Sequence, residues 1–279
     1  MPRLPGFARM TPRHQLESCV MSEVEVLRAL AVRVERLQKS FPTSHGTVDV
    51  LASVTFHVEK GEWLTCLGPS GCGKTTSLRV LAGLLEPDAG SVWLDGVHGS
   101  RLGRTAYLPQ EDTLLPWRTA LQNATLSAEI DGRPLAAARA EAMGLFERFG
   151  LSGFEDVYPS QLSGGMRQRV ELARTFLSHR ELLLLDEPLG ALDPLTRASL
   201  QEWLLAVWNE LRRTVVLVTH DVEEAILLSD RLLLLTARPA TVRETVSLAL
   251  LPRPRRRAAP DVVAERTRLF SLLAPEVSS

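Results

Sequence analysis

The sequence predicts an α/β fold: a parallel sheet covered on both faces by helices, preceded by a strand-rich segment and interrupted by a helical insertion. Three observations carry this prediction. Short apolar runs at 182–185, 215–218 and 232–235 are continuous rather than alternating, as strands buried on both faces are, and 63–67, interrupted by Thr65 alone, reads the same way. Helical periods and helix-start signals stand between these runs, which is the order a parallel sheet requires. The 279 residues are 45% apolar and 23% charged, a globular composition with ample chain to bury a core. With 32 Lys and Arg against 33 Asp and Glu, the net charge of -1 supplies no global positive field for nucleic acid. The longest apolar run, 203–208, is far short of the roughly 20 residues a membrane-spanning helix needs, so the chain is not expected to cross a bilayer itself.

Residues 1–25 are rich in Pro, Arg and Met without a period, and read as a mobile extension. Arg3, Arg9 and Arg13 are not followed by the apolar stretch of a secretory signal, and Met10 and Met21 are alternative starts. Residues 24–62 alternate like strands, with breaks expected at Phe41-Pro42 and His45-Gly46. The run 63–67 enters a Gly-rich turn and then a helix over about 73–81, stopped near Gly83. A short strand at 91–94 closes on the Asp95-Gly96 turn signal. Leu135, Ala138, Ala142, Leu145, Phe146 and Phe149 follow a helical period that Gly150 ends, within a mostly helical subdomain over about 112–163. Pro194 behind Asp193 opens a helix whose apolar stripe is Leu200, Trp203, Leu204, Val207, Trp208 and Leu211. Asp221 with Glu224 reads as a capping box for the next helix. The tail 251–279 is expected to hold a short helix, and its cluster Arg253, Arg255, Arg256 and Arg257 reads as a solvated run. Cys19, Cys66 and Cys72 form no C-x-x-C, so neither a disulfide framework nor a zinc site is expected, and a reducing compartment is the default.

The chemistry concentrates in three segments. Gly68-Pro69-Ser70-Gly71-Cys72-Gly73-Lys74-Thr75 satisfies G-x-x-x-x-G-K-[ST] between a strand and a helix. Its glycines let backbone N–H groups wrap a phosphate chain, and the helix behind adds its positive end. Lys74 would neutralise the β- and γ-phosphates and the Thr75 hydroxyl would bind Mg²⁺. The strand at 182–185 delivers Asp186 and Glu187 at its carboxyl end, where open α/β sheets bind ligands. Asp186 is placed for Mg²⁺, and Glu187, pointing elsewhere, can take a proton from an attacking water. Ser163-Gly164-Gly165-Met166 opens a helix as a second anion cradle, 95 residues beyond Gly68. One triphosphate does not readily use both cradles of one chain, whereas two chains arranged head-to-tail use both.

Phosphate loop, LSGGM signature, LLLLDEP and a later His, in this order, resemble the ATP-binding subunit of an ABC transporter over about residues 26–250. The resemblance implies a P-loop NTPase (RecA-like) core, an N-terminal antiparallel β subdomain and the helical insertion. It also implies ATP and Mg²⁺ as ligands, with Thr76 joining residues 68–75 at the nucleotide. Gln110 then matches the glutamine that contacts the catalytic region and the metal and senses the membrane partner. Asp193, in Gly190-Ala191-Leu192-Asp193, matches the D-loop. His220 matches the switch histidine at the γ-phosphate, and Phe41 the aromatic that stacks on adenine. Ser163, Gly164, Gly165 and Met166 would act in trans, on the nucleotide held by a second copy of the chain. Glu171 stands where many members have a small residue, and the sequence offers no reason for it.

Within that family, Leu115-Pro116-Trp117, Ala191-Leu192-Asp193 with Thr196-Arg197, and Ala237-Arg238-Pro239 resemble the nitrate, sulfonate and taurine importers. That group also includes ATPases associated with thiamine-precursor pyrimidines. The implied partners are integral-membrane permease subunits and, indirectly, a solute-binding protein, with no nucleic acid, at the cytoplasmic face of the cell membrane. Leu114, Leu115 and Trp117 are the expected permease anchors. Two other readings stand beside the importer: a soluble ABC ATPase acting on nucleic acid or ribosomes, and an unrelated P-loop kinase. A kinase has no use for Ser163-Gly164-Gly165 or His220. The soluble class generally has two cassettes or a long coiled-coil arm, for which the 95-residue interval leaves no room.

Overall fold

The computed structural model describes residues 29–277 apart from 45, 191 and 252. The expectations for residues 1–25, including Met10, Met21 and Cys19, and those for His45 and Ala191, lie outside the described residues. Strands β1 (Leu30–Thr43), β2 (Gly46–Glu59), β4 (Ala89–Leu94) and β5 (Val97–His98) form an antiparallel sheet in the order β2-β1-β4-β5. β3 (Trp63–Leu67), β6 (Ala106–Leu108), β7 (Leu182–Asp186), β8 (Thr214–Val218), β9 (Arg231–Leu235) and β10 (Val242–Ser247) form the second sheet, ordered β10-β9-β3-β8-β7-β6. Only β10 runs antiparallel in it, against β9.

Burial explains the two strand types. β3, β7 and β8 are buried at every position, so their sequences are near-continuous apolar runs, with Thr65, Asp186 and Thr214 the polar exceptions. β2 instead alternates, with Val54, Phe56 and Val58 buried and Thr55 and His57 exposed, because only one face of that sheet meets the core. Trp63, Leu183, Leu185, Val215 and Leu217 face one core, while Leu64, Cys66, Leu182, Leu184, Val216 and Val218 face another shared with β1 and β2. The expected break at Phe41-Pro42 does not occur. β1 continues through both residues, with Phe41 opposite Val48 and Pro42 opposite Thr47. β4 pairs with β1 no farther than Gln38, so Pro42 lies on an open edge, where a missing N–H is tolerated.

Helix α1 (Lys74–Leu81) follows β3, and the middle of the chain holds α2 (Ala120–Ala124), α3 (Leu126–Ile130), α4 (Leu135–Arg148) and α5 (Gly164–Phe176). Thr119 caps α2 reciprocally with Gln122. The stripe of α4 is narrower than its period suggested: Ala138, Ala142 and Phe146 are buried, while Leu135 is 41% exposed. Gly150, at φ 62°, supplies the left-handed stop. Asp193 caps α6 (Pro194–Leu211) by accepting from the Leu195 and Thr196 N–H groups, and Leu211, at the far end of the expected stripe, is 44% exposed. Asp221 caps α7 (Val222–Leu228), but the reciprocal half of the expected box is absent. The Glu224 carboxylate turns inward to accept from the Thr219 hydroxyl instead.

The tail corrects two expectations. Its helix, α8 (Pro260–Val277), has 18 residues rather than a short turn, and Val262 and Leu269 pack against Val222, Ala225 and Ile226 of α7. Arg253 and Arg255 are not solvated. Arg255 donates to the carbonyls of Ile226, Ser229, Leu248 and Leu251, and Arg253 donates to Leu228 O while lying 4.3 Å from the Trp208 ring centroid. The last carbonyls of α7 have no partners within the helix, and these guanidiniums satisfy them. Among the described residues no helix is long and apolar enough to cross a membrane.

Candidate functional site

The parallel order brings the carboxyl ends of β3, β7 and β8 side by side, with Cys66 opposite Val218 and Asp186 opposite Val218 across β8. The Gly-rich turn leaves β3 there. Gly73 takes φ 116° immediately before α1, and a Cβ on it would stand 2.7 Å from Leu51 and 2.8 Å from Val50, so glycine is required both by conformation and by space. Cys72 is buried beneath the turn, whereas Ser70 and Gly71 are exposed on it. Burial pushes the Cys66 thiol up to about 12, with Cys72 adding to the shift, so Cys66 is an inert core group. Lys74 folds back over its own loop, donating to Gly68 O at 2.8 Å and Pro69 O at 2.9 Å. An ammonium held only on two backbone carbonyls can exchange them for stronger, anionic acceptors.

On α1, the Thr75 hydroxyl donates to Asp186 Oδ1 at 3.1 Å, and Thr76 follows it, half-buried. Asp186 is 1% exposed. Burial pushes its carboxyl up, and hydrogen bonds from Thr75 and Tyr107 oppose that. Tyr107, on β6, donates to the second oxygen, Oδ2, at 3.3 Å, and burial together with Asp186 pushes its phenol up to about 12. Motif reading missed Tyr107, because nothing local distinguishes it from any strand tyrosine. A cleft of about 560 Å³ lies here, lined by Thr75, Arg79, Tyr107, Gln110, Thr113 and Asp186.

Glu187 holds φ 50°, left-handed for a residue with a side chain, and its N–H is fixed on Val218 O at 2.8 Å. Strain of this kind persists where the surroundings over-determine it. Gln110 Nε2 donates to Glu187 Oε2 at 3.2 Å, and His220 Nδ1 lies 3.2 Å from Oε1. Three residues separated in sequence by 77 and 33 positions thus meet on one carboxylate, beside the Thr75–Asp186 pair.

Ser163 caps α5, its Oγ accepting from Met166 N at 3.3 Å, and Ser163 and Gly164 are exposed. Gly165 packs on Leu192: a Cβ there would meet Leu192 Cδ2 at 3.0 Å. Phe41 is half-buried against the core shared by the two sheets, with Lys39 Nζ 5.6 Å from its ring centroid. Of the three expected anchors, Trp117 is 70% exposed and Leu115 half-buried, but Leu114 is 8% exposed and belongs to the core; it is not an anchor. Glu171 also finds its explanation: it is 4% exposed and accepts from both the N–H and the hydroxyl of Thr113.

The family described as ABC transporter matches residues 51–190. An uncharacterised ABC transporter ATP-binding protein of Methanocaldococcus jannaschii is 45% identical over 88% of this chain and 92% of its own. The aliphatic sulfonates import ATP-binding protein SsuB of Bacillus licheniformis is 41% identical over 83% of this chain and 89% of its own. The formylaminopyrimidine import ATP-binding protein ThiZ of Halalkalibacterium halodurans is 45% identical over 68% of this chain and 74% of its own. A solved dimeric ATP-binding cassette, in a post-hydrolysis state with ADP and Pi, superposes with a TM-score of 0.72 at 28% identity, covering 78% of this chain and 98% of that one.

Proposed function

Because this chain belongs to the ABC transporter family, as an ATP-binding subunit that hydrolyses ATP, we propose that it powers uptake of a small nutrient through a separate integral-membrane permease. It works at the cytoplasmic face of the cell membrane, paired head-to-tail with a second copy of itself. The observation that carries this reading is the convergence of Gln110 and His220 on the Glu187 carboxylate beside Thr75 and Asp186. A kinase that hands phosphate to a small molecule needs no base held for water, and two of the three relatives named above carry import descriptions.

The roles follow from position. Phe41 offers a ring face to adenine. The N–H groups of residues 68–75 wrap the phosphates, Lys74 leaves its own carbonyls for the β- and γ-oxygens, and Thr76 continues the contact from α1. Thr75 and Asp186 are an all-oxygen pair 3.1 Å apart, suited to a hard cation that takes its remaining oxygens from phosphate and water, and they would hold Mg²⁺ with Gln110 nearby. Bound there, Mg²⁺ would neutralise phosphate charge. Glu187 takes the proton of the attacking water, while His220 and Gln110 hold that carboxylate in place and meet the γ-phosphate side. Ser163, Gly164, Gly165 and Met166 of the second copy close over the nucleotide, and Asp193 fixes the turn that carries Leu192 against Gly165. Closure excludes bulk water and orients the nucleophile.

Sulfonates, nitrate, taurine or formylaminopyrimidine-like compounds are the solute class, delivered by a solute-binding protein, as the import roles in the relatives' names and the motif resemblance support. Trp117 is the permease anchor. In the assembled complex, Trp117→Ala is expected to abolish solute uptake while the isolated subunit keeps its ATPase rate within a few-fold. Equal loss of both activities would make Trp117 a packing residue and remove the anchor.

A further inference from the structure

Helix α5 turns three charged side chains, Arg167, Glu171 and Arg174, toward one short stretch of chain. Their spacing of four and three places them on one helix face. Arg167 Nε donates to Asp112 Oδ2 at 2.6 Å. Glu171 Oε1 accepts from Thr113 N at 2.6 Å and from Thr113 Oγ1 at 2.9 Å. Arg174 closes the group, donating to Thr113 O at 3.0 Å and Thr113 Oγ1 at 2.5 Å. Every polar group of Thr113 is therefore held by α5. Burying a carboxylate costs free energy, and burial pushes the Glu171 carboxyl up against the bonds from Thr113 that favour its charge. An alanine would fill the helix at no such cost; the carboxylate instead holds Thr113 and pairs with Arg174, 3.5 Å away on its own helix, which itself reaches Thr113.

What the contact joins gives it meaning. Two residues before Asp112 stands Gln110, on the Glu187 carboxylate. One turn before Arg167 is Ser163, at the exposed start of the same helix. We propose that Glu171 is a positioning residue for ATP hydrolysis: through Thr113 it locks the segment beginning at Gln110 to the helix beginning at Ser163, so that the two move as one piece. A displacement of one end then appears at the other, and Gln110 meets Glu187 in register only when the signature end of α5 is correctly placed. Misplacement of about an ångström far from the chemistry costs up to ~10²-fold in rate. This inference rests on the ATPase reading above.

The test uses the full chain with Glu171→Ala, Glu171→Gln and, in case the alanine variant fails to fold, Thr113→Val. ATP affinity, steady-state hydrolysis and backbone hydrogen exchange with and without ATP are measured for each. Glu171→Ala and Thr113→Val are expected to bind ATP within about two-fold of wild type yet lose kcat by ~10-fold or more. Glu171→Gln, which keeps an acceptor for Thr113, should retain most of kcat. In wild type, ATP should change exchange in residues 110–115 and 163–176 together; in Glu171→Ala and Thr113→Val it should change one segment without the other. Concerted exchange in folded variants would overturn the proposal, as would losses of affinity and kcat in parallel. If Glu187→Gln hydrolyses ATP at the wild-type rate, the base assignment fails, while the exchange comparison still decides the coupling.

Discussion

Glu224 shows how one side chain departs from what its neighbours in sequence suggest. Its spacing from Asp221 reads as a reciprocal cap, yet the carboxyl is 3% exposed, bonded to the Thr219 hydroxyl, with its other oxygen, Oε1, unpartnered. Thr219 Oγ1 also accepts from Asp221 N at 3.1 Å, so this group braces the turn that presents His220. Burial pushes the Glu224 carboxyl from its ordinary 4.5 up to about 7. The folded state therefore keeps a proton that the unfolded chain has already released. This group's stabilisation is complete below the unfolded pKa and is lost as pH rises through about 7. Glu224→Gln removes that loss. Relative to wild type, its stability from denaturant midpoints should rise by about 2 kcal/mol between about pH 5 and about pH 8. A gap independent of pH would show that Glu224 is not the titrating group. The turn at 68–75 and the cap at Ser163 were legible in sequence because the hydrogen bonds that shape them are local. Tyr107 on Asp186 and Glu171 on Thr113 were not, because those pairs are separated by 79 and 58 residues.

At the scale of elements, the strands and most helices follow from burial and caps, and the misreadings have physical causes. Phe41-Pro42 looked like a break because proline usually ends a strand, but β1 has an open edge there. The arginines after Pro252 looked solvated because a charged run gives no sign of what waits for it. Here four carbonyls at the end of α7 and in the 248–251 turn wait for Arg255, and burial pushes its guanidinium down to about 10. Arg255→Ala is expected to lower global stability by about 2–4 kcal/mol, since it strands buried acceptors rather than deleting a surface charge. Arg256→Ala, at an exposed neighbour, should change it by less than ~0.5 kcal/mol. Equal effects in chemical denaturation would return the run to the solvated class.

For the whole molecule, the parallel order sets phosphate loop, Asp186, Glu187 and His220 along one edge of the second sheet, while Ser163 opens away on α5 with its hydroxyl exposed. The account needs a second copy to bring such a Ser163 to the nucleotide, and the dimeric cassette that superposes on this chain has the required stoichiometry. Glu187→Gln keeps the shape and removes the base, so hydrolysis should fall by ~10²–10⁴-fold and ATP should remain at the interface. Size-exclusion chromatography of that variant is the most direct measurement. With ATP and Mg²⁺ it should elute as a dimer, with ADP as a monomer, and adding Ser163→Arg should abolish the dimer while single-chain ATP binding survives. An ATP-loaded Glu187→Gln protein that stays monomeric, alone and in the permease complex, or a dimer indifferent to Ser163→Arg, would contradict the shared site.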